Sequence, residues 1–261
     1  MNPASMAAVC LYLASSALLI LFMALSNPAG WIRRAGFAAG LAGFAAHTAG
    51  VWAAVASGEP LAGGLARGVF LFSWFTAAAL LAMGTRARRS SLGAFVFTLA
   101  FAATLPSAVP VAESAARPAG ALVQTHVALA LLGQAFFFIA FVAAVLYIVR
   151  EGRIKRGALA PDKGGSLLPI TGLDRVQHIS LLCGFPLATL GLALGFVSAS
   201  SVWGADWQWG GKVTLSVVTW LIYAVLINGR LAHGWKGRKS SLVAIAGFAA
   251  IAAAFAASYG P

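Results

Sequence analysis

Eight apolar runs, each close to the length needed to cross a hydrocarbon core of roughly 30 Å, divide this chain. They cover residues 6–26, 35–57, 68–84, 92–111, 119–149, 176–200, 213–231 and 242–259. In lipid every backbone N–H and C=O must be bonded within the protein, so such runs fold as helices. The expectation is an all-α fold: a polytopic membrane bundle of about eight transmembrane helices, with residues 1–261 as a single integral membrane domain. Composition agrees, since 61% of the residues are hydrophobic and 9% charged, whereas soluble chains carry about a quarter charged residues. An ordinary soluble domain and a disordered chain are excluded. No basic segment precedes the first run, which therefore reads as a membrane helix and not a cleaved signal.

The charges then set an orientation. Lys and Arg number 18 against 6 acids, a net +12. In a soluble protein that excess would suggest nucleic acid; here it sorts by loop, and no nucleic-acid partner is expected. The first, third, fifth and seventh connections hold all the basic residues except Arg67, Arg117 and Lys212. Basic residues favour cytoplasmic loops, so the odd connections face the cytoplasm and both termini lie outside. Small-x-x-x-small pairs, Gly36 with Gly40 and Gly191 with Gly195, allow close helix packing. Pro186 falls inside the sixth run, where it removes a backbone donor. No internal repeat stands out, so the inverted-repeat transporter signature is absent.

Several chemistries lack their residues. All six acids are read as lying in connecting segments, which disfavours a proton-coupled or cation-coupled permease. No phosphate-binding, zinc-protease or nucleophile-elbow pattern is present, and no independent catalytic activity is expected. Cys10 and Cys183 sit in apolar runs as small hydrophobes, without a C-x-x-C pair.

The histidines and one tryptophan cluster remain. His47 lies 13 residues beyond Arg34, about 20 Å from the cytoplasmic boundary at 1.5 Å per residue. An imidazole at that depth must be bonded to a neighbouring helix or must ligate a haem or another metal. His126 opens the fifth run at its outer end. His178 and His233 read as interfacial or solvated. Segment 201–212 carries Trp203, Trp207 and Trp209, three of the chain's eight tryptophans within seven residues. An aromatic belt would spread over many helices. Clustered indoles with glycines instead make a flat apolar shelf outside the membrane, suited to a planar apolar cofactor with an axial histidine.

These residues resemble a known family. Trp203-Gly204, Trp207, Trp209, Lys212 and Thr214, followed by Thr219-Trp220-Leu221-Ile222-Tyr223-Ala224, are similar to the tryptophan-rich "WWD" signature of the cytochrome c assembly proteins, the CcsA, CcmC and HemX-like group. Gly234-Trp235-Lys236-Gly237-Arg238-Lys239, Thr125-His126-Val127 with Leu131-Leu132-Gly133, Ala46-His47-Thr48, the segment 57–61 and Phe72-Ser73-Trp74 extend the likeness in order along the chain. The resemblance implies a multi-pass protein of a bacterial inner (plasma) membrane. It implies haem binding and presentation on the outer face in cytochrome c-type biogenesis, with haem b as cofactor, apocytochrome c as recipient and a ResB-like assembly partner. His126, Trp203, Trp207 and Trp209 would form the outer haem site, with His126 on the iron and His47 as a second, intramembrane ligand.

The chain departs from the pattern in places. Gly210-Gly211 stand where the signature has Asp-Pro, Val213 where it has Glu, and Asn228 where a histidine is frequent; no outer histidine follows the eighth run. His126 alone would leave haem five-coordinate unless a partner supplies the second ligand. The same replacements raise the other reading, a HemX-like scaffold or regulator of haem synthesis or cytochrome assembly that has lost haem ligation.

Overall fold

The eight apolar runs form eight helices. The structure, a computed structural model, describes residues 3–25, 28–58, 64–83, 90–105, 120–157, 168–203 and 210–259. Its helices are α1 (Pro3–Ala24), α2 (Gly30–Ala56), α3 (Gly64–Ala82), α4 (Ser90–Thr104), α5 (Ala121–Lys155), α6 (Ile170–Trp203), α7 (Gly211–Ala232) and α8 (Gly237–Tyr259). No strand occurs among the described residues. Six helices, all but α3 and α4, are long and apolar enough to cross a membrane; those two contribute the shorter apolar stretches Ala66–Ala82 and Leu92–Thr104. The chain is a polytopic membrane protein.

Several helices run past the apolar stretches that signalled them. Arg33 and Arg34 lie in α2, Glu151 in α5, and Asp174 and Arg175 in α6. Two of the acids expected in connecting segments are therefore helical. The physical reason is that a backbone entering the interface still gains intrahelical bonds, and long side chains there reach water. Two exposed indoles mark the extent of α2: Trp31 is 64% and Trp52 73% exposed. They lie 21 residues apart, about 31 Å along a helix, which matches a hydrocarbon core flanked by interfacial aromatics.

The helices fall into two compact units, α1–α4 and α5–α8. In the first, α2 presents one continuous small-residue stripe: Gly36, Gly40, Gly43, His47 and Gly50 are all buried. The steps of four and three keep them on one face. Antiparallel α1 answers with Leu19 against Gly36, Ser15 against Gly40 and Tyr12 against Gly43. Phe97 of α4 also seats on Gly40, where an added Cβ would stand 2.5 Å from its ring. Gly40→Val is expected to destabilise the protein by about 1–3 kcal/mol, because Phe97 and Ser15 would both have to move. A thermal unfolding midpoint in detergent checks this; an unchanged value would mean the seam is loose.

In the second unit, glycines bring backbones together. A Cβ on Gly133 would meet the Ala188 nitrogen at 2.8 Å, and one on Gly191 the Ala130 nitrogen at 2.9 Å. Phe137 of α5 stacks on Tyr223 of α7 at 3.7 Å and 3°. Phe248 of α8 stacks on Phe141 at 4.7 Å. At the far end of this unit α7 closes onto α8 through a tight turn. Trp235 N–H donates to Gly229 O at 2.9 Å, and Gly234 takes φ +64 between them, the helix-ending geometry that favours glycine.

Candidate functional site

His126 is placed by α5 and oriented by α6. Its Nδ1 lies 2.6 Å from the Gly191 carbonyl oxygen. A carbonyl only accepts, so Nδ1 must carry the proton and donate it. Nε2 then holds the lone pair. This is the arrangement by which a second group fixes the tautomer of a metal-binding histidine. Glycine at 195 makes room for the ring, since a Cβ there would come within 2.7 Å of Cε1. The Gly191 and Gly195 pair seen in the sequence therefore seats this imidazole as well as packing a helix.

His126 itself lines a cavity of about 270 Å³ within the second unit. Its walls are mainly apolar, with Phe137, Leu192 and Trp220 among them, and Gln134, Ser216 and Thr219 supply polar groups. Trp220 is held in place, its Nε1 donating to Thr189 Oγ1 at 2.9 Å. The cavity was not legible in the sequence, because it depends on four helices meeting. The sequence had marked some of its walls, His126-Val127, Leu131 and Thr219-Trp220, but not that they meet.

The tryptophan shelf is placed only at its edges. Trp203 is the last residue of α6 and Gly211 the first of α7. Segment 201–212 is thus helical at both ends, and Trp207 and Trp209 lie outside the described residues. Gly195, against His126, precedes Trp203 by eight residues, about 12 Å of helix. Asn228 is exposed near the opposite end of α7. It lies 12 residues beyond Ser216, about 18 Å of helix from the level of the cavity. A histidine at 228 could not share an iron with His126.

His47 belongs to the first unit. It is fully buried, as its depth in the span requires. Tyr12 Oη lies 3.4 Å from Nδ1, and the Phe70 ring 4.2 Å from the imidazole. Nε2 has no hydrogen-bond partner among the described residues. Among the described residues no three His, Cys, Asp or Glu side chains gather to hold a metal ion, so a site here rests on single imidazoles and a planar group.

One polar cluster escaped the sequence reading. Arg230 is buried and donates to both carboxylate oxygens of Asp174, at 3.3 and 3.0 Å, and to Ser240 Oγ. It also donates to Gln177 Oε1 at 3.2 Å and His178 Nδ1 at 3.3 Å. Asp174 in turn accepts from Gly237 N–H at 3.0 Å, the first residue of α8. His178 is thereby a member of a network and not simply interfacial, whereas His233 is exposed. In the sequence Arg230 stood only as one basic residue of the seventh connection, and pairing it with Asp174 needed the fold. This network ties α6, α7 and α8 together at one end.

Comparison with known proteins supplies the remaining finding. A curated protein of Trichodesmium erythraeum named cytochrome c biogenesis protein CcsA is 39% identical over 79 residues, 30% of this chain and 22% of that protein. Proteins of the same name from Synechocystis sp. (38% over 79 residues, 30% and 24%) and Prochlorococcus marinus (43% over 76 residues, 29% and 24%) behave alike. The match thus spans about a quarter of the length of these relatives. The family model described as cytochrome C assembly protein matches residues 4–257, through every helix from α1 to α8, and the chain belongs to that family.

Proposed function

We propose that this protein binds haem in cytochrome c biogenesis and presents it at the outer face of a bacterial inner membrane. The observation that supports this most is the 2.6 Å contact of His126 Nδ1 with the Gly191 carbonyl. It leaves Nε2 as a fixed, neutral Lewis base at the end of α5 nearest the tryptophan segment. The residues present fit the group: one oriented imidazole, a mainly apolar surround, and indoles in segment 203–209 to cover a planar face at roughly 25 cal/mol per Å² removed from water. His126 would bind the iron, and Trp203, Trp207 and Trp209 would form the shelf. His47, with its buried free Nε2, is the intramembrane candidate. When bound, haem b supplies the group to be attached to apocytochrome c. A ResB-like partner would supply a further ligand to the iron beside His126. The expected spectrum on haem addition is that of five-coordinate iron, converted by exogenous imidazole to a six-coordinate form.

A second reading, a HemX-like scaffold or regulator that has lost haem, is supported by Gly210-Gly211, Val213 and Asn228 in place of the signature's residues. A purified protein that takes up no haem would favour it.

The charge distribution supports an orientation with both termini outside and residues 201–212 on the outer face. An alkaline phosphatase fusion after Arg156 should be inactive, and one within 204–209 active. The opposite pattern would place His126 on the cytoplasmic side.

A further inference from the structure

The two four-helix units repeat one constellation. In the first, Thr48 Oγ1 donates to Phe44 O at 2.8 Å and accepts from Trp74 Nε1 at 2.9 Å. Phe44 stacks on that same indole at 6.0 Å and 15°. In the second, Thr189 Oγ1 donates to Phe185 O at 2.8 Å and accepts from Trp220 Nε1 at 2.9 Å. Phe185 stacks on it at 5.7 Å and 24°. The flanking residues follow. Gly43-Phe44-x-x-x-Thr48-x-Gly50 on α2 corresponds to Gly184-Phe185-x-x-x-Thr189-x-Gly191 on α6. The hydroxyl residues Ser73 and Thr219 precede the two tryptophans, and the buried Leu80 and Leu226 lie six residues beyond them. Tyr12 packs on Gly43 as Phe137 packs on Gly184. The repeat was missed in the sequence because only four of these eight α2 and α6 positions are identical.

Two positions break the correspondence. His47, three residues after Phe44, matches Ala188. Phe70, four residues before Trp74, matches Ser216. In the first unit the two rings lie 4.2 Å apart and fill the space. In the second unit Ala188 and Ser216 border the 270 Å³ cavity. Thr219 lines it too, and its buried hydroxyl has no hydrogen-bond partner among the described residues. Thr48, Thr76, Thr98, Thr104, Thr125, Thr189 and Thr214 all donate to the carbonyl four residues earlier, so this unused donor is a departure from the chain's own habit.

We propose that α1–α4 and α5–α8 are two copies of one four-helix unit, and that the cavity of the second binds an uncharged carbonyl-bearing ring from the lipid phase, of the quinone class, where the first copy is plugged by His47 and Phe70. Each part of the ligand's chemistry has its reason. The matching space in the first copy holds flat rings, and the walls here include Phe137 and Trp220, so the ligand is a ring. The idle Thr219 hydroxyl, with the Gln134 amide nearby on the wall, calls for an acceptor such as a carbonyl. Among the described residues no acidic or permanently charged side chain lines the cavity, whose one ionisable group is the His126 imidazole, so the ligand is uncharged. The walls come from membrane-spanning helices, so it arrives through lipid. His126 is part of the same wall, so a ring bound here would lie against the imidazole proposed to hold haem.

The test uses the full chain in detergent with duroquinone, whose fully substituted ring does not add to the exposed thiols of Cys10 and Cys183. Equilibrium dialysis should show one equivalent bound. Ala188→His with Ser216→Phe, which copies the plug into the second unit, should abolish it. Thr219→Val, with nearly the same shape, should weaken binding about tenfold, and Gln124→Ala, outside the cavity lining, should leave it unchanged. His47→Ala with Phe70→Ser should open the first copy and raise the stoichiometry to two. Circular dichroism and gel filtration establish that each variant is folded. Absence of duroquinone uptake by the folded wild type overturns the proposal, as does equal uptake by the plugged and Thr219→Val proteins. If the plugged variant instead loses haem and the wild type never takes up duroquinone, the cavity belongs to haem and the proposal also fails.

Discussion

Replacing His126 with alanine is expected to lower haem affinity about 100-fold. Losing a group that only orients a metal ligand typically costs 10–100-fold, and here the ligand itself is removed. Within the second unit, among the described residues, no other imidazole is placed to substitute: His178 is engaged with Arg230, and His233 caps the far end of α7. The stacking contribution of the indoles persists, so residual binding should be weak and should lack the signature of nitrogen-ligated iron. Titration of both proteins with haem, followed by visible absorbance, reads the difference. Gln124→Ala, two residues earlier on α5, serves as a control without an imidazole. Coincident spectra and affinities for wild type and His126→Ala would remove His126 from the site.

Arg230→Ala is expected to destabilise the second unit by about 3 kcal/mol. The guanidinium is 3% exposed and its partner carboxylate 22%. Removing one member of such a pair leaves the other charge desolvated without compensation, at a typical cost of 3–5 kcal/mol, taken at the low end because Asp174 retains some water. The bond from Gly237 N–H to Asp174 would remain but could not neutralise it. Arg230→Met with Asp174→Leu should recover much of the loss, since it deletes both charges. Unfolding midpoints of the two variants decide it. A single variant as stable as wild type would show that the network is dispensable. By contrast the Arg238–Glu151 pair, with Arg238 55% exposed, belongs to the class worth under about 1 kcal/mol.

Much of the fold was written in the hydropathy. Each apolar run became a helix, because a backbone in lipid has no other way to bond its own polar groups. The ends were less legible. Arg33, Asp174 and Arg230 read as loop residues on charge alone, yet each is helical, and Arg230 is buried. Charge reports distance from lipid and not the end of a helix. For the site, His126 and the tryptophan segment were visible as residue types. The Gly191 carbonyl that sets the tautomer of His126 was not, because a backbone oxygen has no sequence signature. Nor was the cavity, whose walls are joined by sequence separations of up to 128 residues, from His126 to Ala254.

The glycine stripe of α2 also bears on the order in which the chain assembles. Every contact it makes with α1 joins neighbours in sequence across a connection of five residues, from Leu25 to Ala29. Such local pairing closes early, since little loop entropy opposes it. During synthesis the α1–α2 hairpin can therefore form before α4 has emerged. At that stage Gly40 has met Ser15 but not Phe97, and the half-built seam awaits an aromatic ring that arrives some 57 residues later. At the 5–20 residues per second typical of synthesis, that wait lasts several seconds. The stripe thus gives the nascent chain an early paired element and also a vacant seat, into which a foreign helix could settle if translation stalls between α2 and α4.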